Sequence, residues 1–232
     1  MAIQLHEVIP WGRSFEEYRR MFALTDDDLA GHILGCGDGP ASFNAEATAK
    51  GHTVISCDPL YVFSAAEIQR QIENCYDNVI FQVRENPDGF VWDYFHSPEH
   101  LGQSRLAAMH RFLAAFETGK KQGRYIDGAL PSLPFEDGQF DLALVSHLLF
   151  LYSQQLDFLF HRAAIEELLR VAREIRIFPL LALDGKPSPH VEPIRAHLDT
   201  EGWRTEISVV PYEFQRGGNQ MLRIRQSRTK QS

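Results

Sequence analysis

Cysteine is scarce in this sequence, with three residues among 232. Cys36, Cys57 and Cys75 are odd in number and widely spaced, which argues against both a disulfide framework and the C-x-x-C spacing of a structural zinc site. His96, His100 and His110 fall at irregular intervals and form no ligand pattern, so no metal is expected. No stretch approaches the ~20 consecutive apolar residues of a membrane span. The opening MAIQLHEVIPW lacks the basic flank and apolar run of a signal peptide, and the expectation is a cytoplasmic protein. Basic residues are outnumbered, 23 Lys and Arg against 31 Asp and Glu, for a formal net charge of -8. That balance disfavours nucleic acid as a partner, because phosphate-backbone binding needs a basic stripe. Repeats, low-complexity linkers and sharp composition breaks are also missing, so 1–232 reads as a single domain.

The composition that remains, 44% hydrophobic and 23% charged, suffices for a sizeable core. Residues 1–30 read as a helical lead-in. Ser14 and Glu17 make a capping box, and Phe15, Tyr18, Met21 and Phe22 follow at helical spacing. From Gly31 the pattern changes. A strand over 32–36 runs into GCGDGP, a helix spans about 40–50, and a second strand over 53–57 ends at Asp58-Pro59. Such a strand–helix–strand unit implies parallel strands and a right-handed crossover. Helices are expected at 64–76 and 98–117, with the aromatic segment FVWDYF (90–95) between them. Strands follow at 140–146, 174–180, 203–210 and 220–225, and helices at 156–172 and 189–200. The alternation with a closing strand pair predicts an α/β, doubly wound, mostly parallel sheet with an antiparallel edge.

Gly35, Gly37 and Gly39 form G-x-G-x-G at the end of the first strand, where ligands of open α/β sheets sit and a missing Cβ lets backbone approach them. Asp58 ends the next strand, 23 positions after Gly35, and a carboxylate there can accept hydrogen bonds from both hydroxyls of a ribose. A dinucleotide fingerprint needs a third glycine at position 40, but Pro40 stands there and has no N–H for a pyrophosphate. Asp38 inside the loop also opposes phosphates. S-adenosylmethionine carries no phosphate, and its amino group suits a nearby acid.

The segments HILGCGDG (32–39), VISCDP (54–59) and GALPSLPFEDGQFDLALVSHLLFLY (128–152), with LLRVAREIRIFPLL (168–181), resemble the class I S-adenosylmethionine-dependent methyltransferases over about residues 30–225. The resemblance implies a seven-stranded Rossmann-like sheet, S-adenosylmethionine as cofactor and methyl transfer to a small-molecule acceptor. A catalytically silent protein that binds S-adenosylmethionine as a sensor or regulatory subunit is the alternative. By the same resemblance, Gly35, Cys36, Gly37, Asp38 and Gly39 wrap the cofactor, Asp58 holds the ribose, and Pro59 or Leu60 lies against the adenine. Ala129 and Leu130 present backbone to the adenine edge, and Ser146 and His147 lie near the sulfonium. Two positions depart from the family: Ile33 replaces an acid, whose role Asp38 can assume, and Ala129 replaces another, for which Asp127 is either a substitute or a turn residue.

Methyl transfer from a sulfonium requires a base only when the acceptor must lose a proton. His147 is the candidate base or else part of the pocket wall, and Tyr152 either orients the acceptor or packs in the core. Arg176, in a mostly apolar strand, is either ion-paired or a clamp for an anionic acceptor. Arg13 and Tyr18 lie where the lead-in helix can cover the cofactor, with Arg13 meeting its carboxylate or standing in solvent. Asp58 and Ala129 are 71 positions apart, about twice the family spacing, so residues 63–122 carry an inserted helical cap, either a lid or a subunit interface.

Overall fold

A computed structural model of the chain describes residues 9–226. The lead-in begins, within those residues, with α1 (Phe15–Met21) and α2 (Asp26–Ala30). Both start on the capping boxes their sequences encode. Ser14 and Thr25 accept from the N–H three residues on, while Glu17 and Asp28 accept from the cap N–H in return. The alternation then runs β1 (His32–Cys36), α3 (Phe43–Ala49), β2 (Thr53–Cys57), α4 (Ala65–Glu85), α5 (Pro98–Lys121), β3 (Tyr125–Ile126) and β4 (Phe140–Ser146). It closes with α6 (Phe158–Val171), β5 (Ala172–Phe178), α7 (Val191–Thr200), β6 (Trp203–Val209) and β7 (Gln220–Gln226).

The seven strands form one sheet in the order β3-β2-β1-β4-β5-β7-β6. Pairing is parallel from β3 through β5, and β7 is antiparallel to both its neighbours. Antiparallel pairing is thus confined to the β5-β7-β6 end. The chain reverses direction outward from β1, to β2 on one side and β4 on the other, which opens a crevice at their carboxyl ends. Two layers bury the sheet. Ile165 and Leu168 of α6 and Ile194 and Leu198 of α7 pack on Ala143, Val145, Ile175 and Ile177. On the opposite face Phe15, Tyr18, Phe22 and Phe43 cover Ile33, Val54, Leu142 and Leu144.

Beyond shifts of up to four residues at element ends, as in α5 and β5, two elements differ from the sequence expectation. The first long helix runs to Glu85 rather than 76, because Val79, Ile80 and Val83 continue its buried stripe. The two-residue β3 has no periodicity to betray it and is placed by pairing with Ser56 and Cys57. The segment 63–122 also carries the crossover from β2 to β3. Its α5 sits with Met109, Phe112 and Phe116 against Tyr61 and Tyr125, and α4 adds Ile68 and Ile72 to that cluster. The described residues include no helix long and apolar enough to cross a membrane.

Arg176 is not an acceptor clamp. It is 3% exposed on β5, and its guanidinium donates to Asp28 at 2.7 and 3.1 Å, to Glu174 at 2.8 Å and to the Phe22 carbonyl at 2.9 Å. These bonds tie the lead-in to the sheet, and the sequence alternative of an ion pair holds. Removing one member of such a buried pair strands the other charges. Arg176→Met is expected to lower the unfolding free energy by about 3 kcal/mol in urea denaturation.

Candidate functional site

The crevice at the sheet's carboxyl edge opens into a cavity of about 400 Å³, of the size that holds small molecules. One end is built by the glycine loop and by the end of β2. Gly37 and Gly39 adopt positive φ (71° and 52°), which turns the chain sharply out of β1. Gly35 serves differently. A Cβ there would lie 1.8 Å from Asp38 Oδ2, so its absence makes room for the Asp38 carboxylate to fold back beneath the loop. Asp38, 6% exposed, accepts from the Tyr18 hydroxyl at 2.7 Å and from the Ser56 hydroxyl at 2.6 Å. Burial nevertheless pushes its pKa up to about 6. Asp58 accepts from the Gly39 N–H and the Leu60 N–H, both at 2.8 Å, one on each oxygen, which leaves a further lone pair on each. Its pKa is also raised, chiefly by burial.

The lead-in closes this end from above. Gly12 crosses the loop so tightly that a Cβ would stand 2.0 Å from the Pro40 carbonyl oxygen, and the Ser42 N–H donates to the Arg13 carbonyl at 3.0 Å. That crossing aims Arg13 into the cavity. Its Nη1 donates to the Trp11 carbonyl at 3.0 Å, and its Nε is buried without a partner. Burial first, and then repulsion from Arg105, lowers its pKa to about 10. Tyr61, fully buried, donates its hydroxyl to the Gly39 carbonyl at 2.8 Å and fixes the loop from below.

The centre of the cavity is the end of β4. Ser146 Oγ lies 2.9 Å from His147 Nδ1, and the His147 backbone takes φ +57° while its N–H donates to the Phe178 carbonyl at 2.7 Å. Burial, followed by Arg13 and Arg105, holds the imidazole well below its ordinary pKa, so it is neutral at physiological pH. Tyr152, 3% exposed, forms the adjoining wall, and burial raises its pKa. The far end is lined by Val83 and Leu101 from the insertion, by Phe178, and by Tyr212 and Phe214 from the β6–β7 connection.

The structure therefore brings Arg13, Tyr18, Gly37, Asp38, Gly39, Asp58, Pro59, Leu60, Ser146, His147 and Tyr152 around one space. Besides Arg176, it does not bring four other expected residues to that wall. Gly35 lies beneath Asp38, and Cys36 is 2% exposed in the core under the sheet. Ala129 is exposed and accepts from the Ser132 N–H at 3.0 Å, while Leu130 packs into the core. The turn is drawn inward by Gly128, where a Cβ would sit 2.8 Å from the Cys57 sulfur. Asp127 is likewise exposed and outside the wall. The sequence reading missed Arg105, Glu17 and Tyr212. Arg105, 1% exposed, donates to Glu17 Oε2 at 2.7 Å, and Tyr212 donates to Glu17 Oε1 at 2.9 Å. The signal for Arg105 was available, since a cation interrupts the apolar stripe Leu101, Met109, Phe112, Phe116 on one helix. The described residues hold no group of three or more His, Cys, Asp and Glu side chains placed for a metal ion.

No protein-family model matches the chain. Its sequence is 34% identical over 224 residues to uncharacterized protein MJ0045 of Methanocaldococcus jannaschii, covering 96% of this chain and 98% of that one. Among solved structures it is similar to the mitomycin 7-O-methyltransferase MmcR, with a TM-score of 0.50 and 13% identity, over 92% of this chain and 54% of that one. It is also similar to the magnesium protoporphyrin IX methyltransferase ChlM of Synechocystis PCC 6803, solved with bound SAM. There the TM-score is 0.43 and the identity 16%, over 87% of this chain and 73% of that one.

Gly35→Ala tests the architecture of the loop. The added methyl must expel the Asp38 carboxylate from its two hydroxyl donors, and the expected loss is on the order of 2 kcal/mol of folding free energy, read by urea denaturation. An unchanged midpoint contradicts the packing described.

Proposed function

Because the chain belongs to the family of the Methanocaldococcus jannaschii protein MJ0045 and has the class I S-adenosylmethionine-dependent methyltransferase fold, we propose that it transfers a methyl group from S-adenosylmethionine to a small-molecule acceptor. One observation carries this reading. The buried Asp38 carboxylate, with its raised pKa, and the half-buried Arg13 guanidinium, whose Nε has no hydrogen-bond partner among the described residues, face one cavity, and neither is paired with the other. Such a separated acid and base complement the ammonium and carboxylate of an amino-acid moiety. Asp58, with a free lone pair on each oxygen, is placed to accept from the ribose hydroxyls beyond them.

The residues fit the cofactor in this way: Arg13 holds the carboxylate, Asp38 the ammonium with Tyr18 and Ser56 steadying it, and Asp58 the sugar. When bound, the cofactor supplies an electrophilic methyl group on sulfonium. The chain's part is to orient the acceptor and exclude water, and the apolar far end serves both. His147 is neutral, as a proton acceptor must be. In the tautomer that donates Nδ1–H to Ser146, the ring's Nε2 is left to take a proton from the acceptor. Tyr152 flanks that position and orients the acceptor.

Binding of S-adenosylhomocysteine measured by calorimetry, followed by transfer from methyl-labelled cofactor into cell-extract components, tests the reading. Binding with no labelled product counts for a sensor and against methyl transfer. Asp58→Ala is expected to weaken S-adenosylhomocysteine binding by about 100-fold, the value of two hydrogen bonds to a charged group, with the fold intact. His147→Asn should lower kcat by about 100-fold or more and leave that binding unchanged.

The pH dependence follows from Asp38. Its folded pKa, about 6, lies above the ordinary 3.8, so the free protein loses stability through this group as pH rises from 4 to 6. An ammonium pairs only with the ionised carboxylate. Affinity for S-adenosylhomocysteine should therefore fall as pH drops below about 6, approaching tenfold per pH unit, and level off above 7. Asp38→Asn should flatten that profile.

A further inference from the structure

The segment between β4 and α6 carries four residues of the cavity wall, His147, Leu148, Leu151 and Tyr152. Two of its non-glycine residues take left-handed backbone, His147 with φ 57° and Phe150 with φ 67°. Such conformations are strained for side-chain-bearing residues and persist only where the surroundings fix them. The His147 N–H is held by the Phe178 carbonyl. What holds Phe150 lies on α6.

His161 of that helix is fully buried, in a stripe it shares with Ala164, Ile165, Leu168 and Val171. A polar ring among such neighbours is costly unless it is bonded. Its Nε2 lies 2.9 Å from the Phe150 nitrogen and accepts that N–H. A backbone N–H can only donate, so Nε2 carries no proton. Nδ1 therefore carries one, and donates it to the Asp157 carbonyl at 2.7 Å. The contact selects one neutral tautomer, and burial, which lowers the ring's pKa, favours the neutral form. The Phe150 ring stacks on the imidazole, with centroids 5.3 Å apart and planes 24° apart. The residue's other polar group is also held, since the Ser153 hydroxyl donates to the Phe150 carbonyl. The turn reaches the glycine loop as well: a Cβ on Gly37 would stand 2.6 Å from Leu148 Cδ2.

We infer that His161 is a positioning residue for the acceptor side of the cavity: through the Phe150 N–H it holds the turn that presents His147, Leu151 and Tyr152. It stands outside the cavity wall and acts through backbone alone. The proposal rests on the methyl-transfer reading only for naming that side the acceptor's; the grip on the turn stands apart from it.

Nitrogen-15 NMR of the full chain reads the tautomer, and amide hydrogen exchange reads the turn. In the wild type, His161 is expected to be protonated on Nδ1 and not on Nε2. His161→Leu has no acceptor to offer. There the Phe150 amide should exchange faster by about tenfold or more relative to the Leu144 and Val145 amides of β4, and the His147 ring signals should shift. His161→Gln carries an oxygen that can accept the same N–H, and should bring Phe150 back to within about threefold of wild type on that scale, with the His147 signals restored. Protonation on Nε2 in the wild type overturns the proposal, as does His161→Gln behaving like His161→Leu. So does a folded His161→Leu in which Phe150 exchange or the His147 ring is unmoved. If His161→Leu does not fold, the wild-type tautomer and the Phe150 protection in His161→Gln decide the question. Titration with S-adenosylhomocysteine runs alongside. A chain that ignores it while the turn responds as stated overturns the methyl-transfer reading and leaves the grip of His161 standing.

Discussion

Three segments far apart in sequence meet at one buried ion pair. Glu17 belongs to the lead-in helix, Arg105 to the insertion and Tyr212 to the connection between the last two strands. Burying two charges contributes little net stability, since desolvation opposes their attraction. What the pair supplies is position. It fixes the lead-in over the glycine loop, which carries Arg13 into the cavity, and it sets α5 against the aromatic far end. The same Glu17 carboxylate accepts from the Ser14 N–H and hydroxyl, so the signal that starts α1 and the contact that roofs the cavity are one group. The start of that helix is therefore not free to drift relative to the insertion.

Much of this was legible from residues alone, because the informative positions lie where one periodicity gives way to another. The glycine loop and Asp58 sit at strand ends marked by Gly and Pro, and Ser146-His147 ends a strand whose limits the apolar run predicted to the residue. The failures have physical reasons. Ala129 and Leu130 were placed by resemblance, yet neither lines the cavity: Ala129 is exposed next to Gly128, which packs on Cys57, and Leu130 lies in the core. Arg176 offered two readings from its strand position, and Asp28, which selects between them, lies 148 residues distant. Arg105 was overlooked since a helix face announces its core through apolar residues, and a single cation in that stripe gains meaning only once Glu17 is seen opposite.

The electrostatics of the cavity follow from a refusal to pair. Asp38 takes hydroxyl donors from Tyr18 and Ser56 in place of a cation, and Arg13 takes a backbone carbonyl in place of a carboxylate. Each is consequently displaced from its ordinary pKa, the acid upward and the guanidinium downward, with burial the leading cause of both. Direct pairing would relieve these shifts and fill the site with the protein's own charges. Kept apart, the two retain their capacity for a ligand of opposite polarity at each end, which is the usual origin of perturbed groups clustered at a functional site.

The left-handed backbone at His147 has a bearing on how the family can vary. Histidine tolerates that conformation less readily than glycine or asparagine, at a cost of about 1 kcal/mol or more. Exchanging it for either would ease the chain at the tip of β4, yet would strip the imidazole from its place between Ser146 and Phe178. Stability and the ring thus pull in opposite directions at a single codon. A relative that dispensed with the ring while keeping the scaffold would find a downhill route open to it at this bend.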